Sequence, residues 1–452
     1  MKSDSTVSSV KNKKSELFND YEFSPVPDSE KNTWQSQVFV WLGVGFCLTA
    51  FSLGGQIALG LGFWPTVLAV FIGGLILSVI GSLVGVIGVK SGLSSTVSAR
   101  FTFGVYGAIA FGIINALCNF GWFGYQCTFF GSSITSMFKL ALNMEVNLRL
   151  CIIVGGLLMM ITAIVGYKGI KKLSQIGVPL LFILIFLGVI RTFRTVPAQE
   201  IFHAKPQIPM TFSLAVSLMV GSFIVGVSIV QDFTRYSKTV KDSSIGVFLG
   251  FTVGYPAVVI CGAIFASAFQ SNDLTNTLIH VLDFGIFAAV IIIIATWTTN
   301  DNNLYQSVLG LTNAFHGKIH LPRWAITAVC GLIATALGAI GVIEWLLPFL
   351  NILSVVVPPI TGAMLADFYL LKNADRYDFK NMNSIPNFRL DTSLGAIVGC
   401  FIGFCMNEKP VGFGIPFLVK LSNYVPTAVF AMFVSVIVVC LIYCFNKKPE
   451  RA

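Results

Sequence analysis

Charge is what this sequence most lacks. Only 11% of its 452 residues are Asp, Glu, Lys or Arg, where a soluble domain carries about 25%. An ordinary wetted surface is therefore excluded. Histidine is nearly absent as well, with four in the whole chain. No HExxH, no GxSxG and no cluster of His and Cys at ligand spacing occurs. An enzyme built into a membrane would need a nucleophile–base pair or a set of metal ligands around one cavity, and those residues are missing. The ten cysteines all lie in apolar stretches, without paired spacing in polar loops. They read as reduced packing residues, not as disulfides or metal ligands.

Hydrophobicity is what the chain has in excess, at 55% of its residues. Apolar stretches of about 20 residues, each enough to cross a hydrocarbon core roughly 30 Å thick, recur from residue 36 to residue 446. Alternating strands of the kind that form membrane barrels do not. The pattern predicts an all-helical integral membrane protein with twelve transmembrane helices, at 36–61, 66–89, 105–136, 149–167, 173–193, 210–233, 243–270, 278–300, 321–343, 345–371, 393–408 and 424–446. One transporter-sized bundle over 34–446 follows, with tails at 1–33 and 447–452 and no soluble domain. The first tail is rich in Ser, Lys and mixed charge and is expected to be disordered. It lacks the pattern of a cleaved signal, so the first span is expected to stay in the mature protein. With the N-terminus inside, about three quarters of the Lys and Arg fall on the inner side. Both tails are thus expected in the cytoplasm, with the chain in the cell membrane. Inner loops facing anionic lipid account for the net charge of +9, so no nucleic acid is called for, and no obligate protein partner is evident.

Two spans depart from the usual Leu, Ile, Val and Phe. Span 1 reads GVGFCLTAFSLGGQ (43–56) and span 6 reads MVGSFIVGVSIVQDF (219–233). Both put glycines and small polar residues at mid-depth, five spans apart. Unwound backbone at the bilayer midplane is tolerated only where it lines a cavity, and paired interruptions point to a transporter's binding site. The same glycines would also suit close helix packing. Span 3 carries a polar stripe, with Asn115, Asn119, Trp122, Gln126 and Ser133 on one helical face. Buried amides need partners, whether another helix, water or a ligand, and an indole among them favours a ligand. Span 1 repeats this on a smaller scale in Thr49, Ser52 and Gln56. Two broken helices with such different decoration do not suit a channel, which wants rings of like residues around a pore.

ATWTTNDNNLYQ, residues 295–306, crowds polar side chains onto the end of span 8. Ala295, Thr298 and Thr299 stand at i, i+3 and i+4, on one face. Two hydroxyl oxygens and a carbonyl are hard, neutral ligands suited to a small monovalent cation, where a divalent ion would want carboxylates. Such threonines also commonly bond back to their own helix. Asp232, Asp283, Asp301 and Asp367 lie at or near span ends. They could carry a proton, cap helices or pair with arginine, as Asp232 with Arg235. His280, near the start of span 8, reads as interfacial.

Several stretches together resemble one family: PVP (25–27), the K-x-GL and ARF-x-FGV pieces of 81–107, GWFG (121–124), VGSFI (220–224), DFxR (232–235), WTTNDNxLY (297–305) and PPxxGxxxAD (358–367). In this order and spacing they resemble the nucleobase–cation symporter-1, or purine/cytosine permease, family, most of all its bacterial cytosine permeases. The resemblance covers nearly all of the chain from Pro25. It implies a leucine-transporter-like fold, two inverted five-helix repeats followed by two extra helices, which works by alternating access. It implies a flat nucleobase stacked between Trp122 and Phe223. Asn119, Gln126, Asn300 and the groups around Gly221 and Ser222 would meet its polar edge. It further implies a sodium ion, as coupling ion and not cofactor, held by backbone near Val44 and Cys47, the Ala295 carbonyl, Thr298 and Thr299. Three positions depart from the cytosine permeases: Asn119 replaces Gln, Val225 replaces Ser and Ala295 replaces Asn. The first two remove polar reach from the pocket wall and open the substrate to a purine, another pyrimidine or a hydroxymethylpyrimidine. The alternatives are proton-coupled transport of a hydroxymethylpyrimidine, allantoin or hydantoin type of ring, or an amino-acid carrier of the same fold.

Overall fold

The computed structural model describes residues 26–165, 167–315 and 321–446. Among these the chain is helical, with one isolated bridge between Asn32 and Ser237. Twelve membrane passages follow one another. Helices Phe63–Ser91, Ser95–Leu142, Ile176–Thr195, Val240–Phe269, Leu346–Leu370 and Thr427–Asn446 are each long and apolar enough to cross. Shorter apolar helices Leu48–Leu61, Leu148–Ile164, Phe212–Ser228, Arg323–Ala339 and Leu390–Cys405, with the longer Gly285–Ala314, complete the set. We number the passages as spans 1–12 in chain order. All ten cysteines are free.

Span 2 shows how the sequence sorts lipid from protein. Trp64, Leu68, Phe71, Leu75, Val79 and Leu83 recur every three or four residues and are exposed, a large-residue stripe turned to lipid. The buried side of the same helix carries Gly73, Gly74, Gly81, Gly85 and Gly88 and packs on spans 6 and 7. In a bilayer, small residues mark the protein interface because lipid is as apolar as leucine. Span 3 packs against span 8, and the second half of span 1 against span 7. Spans 11 and 12 pack on each other and on span 10.

Span 1 is broken where its composition suggests. Helix Trp34–Gly45 ends, Phe46 and extended Cys47 (φ −133°, ψ 154°) intervene, and helix Leu48–Leu61 begins. Span 6 departs from expectation. Helix Phe212–Ser228 runs unbroken through Gly221 and Gly226, and the irregularity falls later, at Ile229–Val230, before the short helix Gln231–Thr234. Its small residues serve packing. Gly221 lies against the Leu350 carbonyl of span 10, and Ser222 and Ser228 donate back to Met219 O (2.7 Å) and Val225 O (2.7 Å). Span 8 also differs from the sequence reading. It extends to Ala314, which puts the 295–306 cluster in mid-helix and not at an end. The expected disorder of the first tail falls mostly on residues outside those described. Residues 26–33 are docked, with Val26 buried and Asn32 exchanging backbone hydrogen bonds with Tyr236 and Lys238. The 447–452 tail lies wholly outside the described residues.

A clasp closes the N-terminal end of span 3. Gly104 adopts φ 79°, which a side chain rarely does, and its missing Cβ would sit 2.7 Å from Phe388 Cα. The turn lets Val105 and Tyr106 donate to Pro386 O and Asn387 O. Behind it, buried Asp367 accepts from Asn373 Nδ2, Tyr377 OH and Arg389, each at 2.7 Å, and Arg389 also reaches Phe101 O (2.9 Å). Burial, and then the charge of Asp367, push the Tyr377 phenol well above its usual range, so it remains a donor.

The tightest crossing pairs spans 1 and 7, where Gly54 meets the Val259 carbonyl and Gly262 meets the Phe51 carbonyl. A methyl at Gly262 must push the helices apart, an overpacking cost of about 2 kcal/mol or more. Gly262→Ala is expected to melt several degrees lower than the unaltered protein in detergent. Gly43→Ala, with nothing within 4 Å of its added carbon, is expected not to shift.

Candidate functional site

Spans 1, 3, 5, 6, 7 and 8 enclose a cavity of about 950 Å³. Of the residues singled out from the sequence, Asn119, Trp122, Gln126, Ser222, Phe223, Cys47, Ala295, Thr298 and Thr299 all line it. The helical phase of span 3 delivers the first three to one side. Their hydrogen bonds are unequal. Asn119 Nδ2 donates to Asn115 O (2.9 Å) and Asn115 Nδ2 to Phe111 O (3.0 Å), so these amides are partly satisfied by their own helix. Gln126, only 1% exposed, has an Oε1 with no protein partner. A buried amide oxygen left unpaired costs about 1–3 kcal/mol, which marks it as awaiting a ligand or water.

The aromatic walls are held in place from behind. Trp122 meets Phe349 of span 10 edge-on at 5.2 Å. Phe223 is packed edge-on by Phe251 at 4.9 Å and by Tyr255 at 4.8 Å, both from span 7. Both rings also line the cavity, where an aromatic face can take an offset-stacked partner.

The cation candidate draws on the same lining. Thr298 Oγ1 and Thr299 Oγ1 both donate to Ala295 O at 2.9 Å. The back-bonding expected of such threonines is therefore present, yet each hydroxyl keeps its lone pairs. At the span 1 break, the last turn of helix Trp34–Gly45, where Val44 sits, leaves carbonyls without intrahelical donors. The Gly45 carbonyl takes the Cys47 N–H (3.1 Å), and Cys47 O takes Ala50 N–H (3.1 Å). Cys47, Ala295, Thr298 and Thr299 line one cavity, and neutral hard oxygens of this kind suit a monovalent cation and not a divalent one.

Asn300 is placed elsewhere. It does not line the cavity; its Nδ2 donates to Phe123 O (3.0 Å), and its Oδ1 accepts from Asn303 Nδ2 (3.3 Å). The reason is helical phase. Ala295, Thr299, Asn302, Asn303 and Gln306 share a face of span 8 and line the cavity, while Asn300 projects towards span 3. Spacing alone could have made that distinction. Tyr255 and Trp41, also in the lining, leave no such signal, being single aromatics in apolar runs.

The cavity reaches Ser36, Phe39 and Gln306, towards the N-terminal end of span 1. On the other side of the break, Ser52 Oγ meets Tyr125 OH at 2.9 Å and accepts from Asn272 Nδ2 at 3.1 Å, tying spans 1 and 3 to the 7–8 connection. The four aspartates have structural partners. Asp232 caps span 3 through Ser95 N (2.8 Å) and Ser95 Oγ (2.9 Å), while Arg235 Nε donates to its backbone oxygen. Asp301 accepts from Thr162 (2.8 Å), Asp367 pairs with Arg389 (2.7 Å) and Asp283 approaches Arg191 (3.6 Å).

Residues 25–429 match the family described as permease for cytosine/purines, uracil, thiamine, allantoin. The cytosine permease of Escherichia coli (strain K12) is 31% identical over 363 residues, 80% of this chain and 83% of that one. The hydantoin permease of Microbacterium maritypicum is 24% identical over 365 residues, 74% of this chain and 72% of that one. Among solved structures, a nucleobase-cation-symport-1 family transporter in a closed conformation with bromovinylhydantoin bound superposes with a TM-score of 0.77 at 18% identity, covering 95% and 96% of the two chains. A Na⁺-coupled sialic acid symporter superposes at 0.60 with 14% identity, over 95% and 92%. The leucine-transporter-like arrangement of twelve helices expected from the sequence is the fold of these neighbours. The chain is a multi-pass membrane transporter and not an enzyme. It belongs to the family of permeases for cytosine/purines, uracil, thiamine and allantoin.

Proposed function

We propose that the protein takes up a nucleobase, cytosine or a related pyrimidine or purine, by sodium-coupled alternating access across the cell membrane, with both termini in the cytoplasm. The observation that carries this is the pairing, in one mid-membrane cavity, of two aromatic walls with an unpartnered amide. Trp122 and Phe223 offer ring faces, and Gln126 offers both a donor and an acceptor to a heterocycle's edge. A buried C=O beside an NH₂ suits the cis-amide or amidine edge that nucleobases share, by the geometry with which Gln pairs to adenine. Asn119, whose Nδ2 is turned back onto Asn115, presents its oxygen. An amino acid could set its carboxylate on the half-helix N-terminus at Leu48, but the lining holds no cationic side chain to pair with it, and the two aromatic walls suit a flat ring instead.

Sodium is the coupling ion favoured by the donor set of Ala295 O, Thr298 Oγ1, Thr299 Oγ1 and the carbonyls beside the span 1 break. When bound it would supply the inward driving gradient. Because the span 1 break and the base walls line one cavity, the two ligands should raise each other's affinity by the same factor. The Na⁺-coupled sialic acid symporter among the structural neighbours and the cytosine permease of Escherichia coli support this reading. A hydantoin- or allantoin-type ring is the second reading. It is favoured by Asn119, whose amide is drawn back onto its own helix, and by relatives with those names.

Trp122→Ala should weaken base binding by the worth of one stacked face, about 1–3 kcal/mol, or roughly five- to hundredfold in Kd. Unaffected binding would remove this pocket. In the same assay Thr298→Ala should raise the sodium needed for half-maximal binding about threefold or more, with potassium ineffective throughout; an unchanged sodium dependence would mean another ion or another site. Asn300→Ala should lower the melting temperature, since it strips a bond from the span 3–span 8 contact. It should leave the order of preference among bases as it was, and a reordering would return Asn300 to the pocket.

A further inference from the structure

Tyr255 lines the cavity beside the proposed base site and touches Phe223, Gly45 and Ser222 around it. It is the first residue of helix Tyr255–Phe269, just after the π-helical turn Gly250–Gly254, and is 3% exposed. Its ring backs Phe223 at 4.8 Å. The same ring lies against Gly45, whose missing Cβ would be 3.4 Å from Tyr255 Cδ2. Gly45 is the residue immediately before the break in span 1. The Tyr255 hydroxyl reaches Ser222 Oγ at 2.8 Å.

The direction of that last bond follows from counting protons. Ser222 has one hydroxyl hydrogen, and it goes to Met219 O at 2.7 Å. Tyr255 must then be the donor, and its proton fills one of the two Ser222 lone pairs. What remains for a ligand is a single lone pair in a fixed direction. Ser222, which lines the cavity, can only accept. Gln126 is different. Its amide has no bound partner on Oε1 and can turn over to suit either a donor or an acceptor. An adjustable group does not discriminate between rings of one shape with donor and acceptor exchanged, whereas a locked one does.

We propose that Tyr255 is the positioning residue that sets base specificity, because its hydroxyl locks Ser222 as a hydrogen-bond acceptor that selects rings with an N–H at that edge. The inference rests on the nucleobase reading above. It predicts that the pocket separates pairs of equal outline, cytosine from uracil or adenine from hypoxanthine, in which a ring N–H replaces a ring lone pair.

The test uses the purified full-length protein in saturating sodium, with these four bases as probes and Kd as the readout. The unaltered protein should prefer the member with the ring N–H, uracil over cytosine or hypoxanthine over adenine, about tenfold, the range set by one mispaired buried polar group, and the opposite preference would overturn the proposal. Tyr255→Phe keeps the ring behind Phe223 and frees Ser222 to rotate. The preference should shrink to about threefold or less, while the favoured base loses less than about tenfold in affinity. A merely structural role would weaken both members alike, and an unchanged ratio would overturn the proposal. Equal affinities within every pair in the unaltered protein would overturn it too, with the nucleobase reading intact. No binding of any of the four sinks that reading and the lock with it. Should Tyr255→Phe not fold, Ser222→Ala must produce the same narrowing, and a retained ratio there counts against the lock.

Discussion

The break in span 1 is the constraint around which the rest is arranged. Inside a bilayer each unpaired backbone group costs several kcal/mol, so helices run unbroken unless something meets the freed carbonyls. Here the helix stops at Gly45 and restarts at Leu48, with Cys47 extended between. Short local bonds, Cys47 N to Gly45 O and Ala50 N to Cys47 O, absorb part of the deficit. What they leave is a backbone edge in the span whose Cys47 lines the same cavity as the threonine pair of span 8. Tyr255 packs against Gly45, and through Tyr255 the break is linked to Ser222 and Phe223. One interrupted turn is thus linked to the span 6 and span 7 walls of the site.

The other elements differ in how many polar contacts tie them to their neighbours. Span 8 is anchored to span 3 by Asn300 on Phe123 O and to span 4 through Asp301 and Trp297, which both meet Thr162 at 2.8 Å. The N-terminal end of span 3 is capped by Asp232 and clasped through Asp367, Tyr377 and Arg389. A scaffold so fixed gives the shorter helices of spans 1 and 6 something to move against. Small displacements become large only where packed surfaces have two stable arrangements. The seam between the tied polar contacts of spans 3, 4 and 8 and the glycine-lined crossing of spans 1 and 7 is where such an alternative would lie.

Much of this was legible in the sequence, for reasons that also explain what was not. Span positions follow from transfer free energies, which composition reports directly. The span 1 break was readable because Gly and small polar residues bracket it. The same composition in span 6 meant packing, and a helix that approaches a neighbouring carbonyl looks, residue for residue, like a helix that unwinds. Placing Asn300 in the pocket ignored a rotation of 100° per residue, which the sequence did contain. Tyr255 and the Gly104 turn were beyond reach, because their roles are set by contacts with residues more than thirty positions away.

The size of the cavity bears on what can choose the ligand. At about 950 Å³ it lies at the upper end of small-molecule sites, and the polar face of span 8 from Ala295 to Gln306 alone extends about 16 Å along the helix. Steric exclusion cannot separate one six-membered ring from another in such a space. Stacking on Trp122 and Phe223 cannot either, since every base has a π-face. Discrimination must come from the few polar atoms whose directions the protein has already fixed. Those are Ser222 Oγ, held from both sides, and Asn119, turned by Asn115. Val225 contributes none. Family members can therefore keep one cavity and exchange substrates by changing which polar atoms are held, and the residues that hold them need not touch the substrate at all.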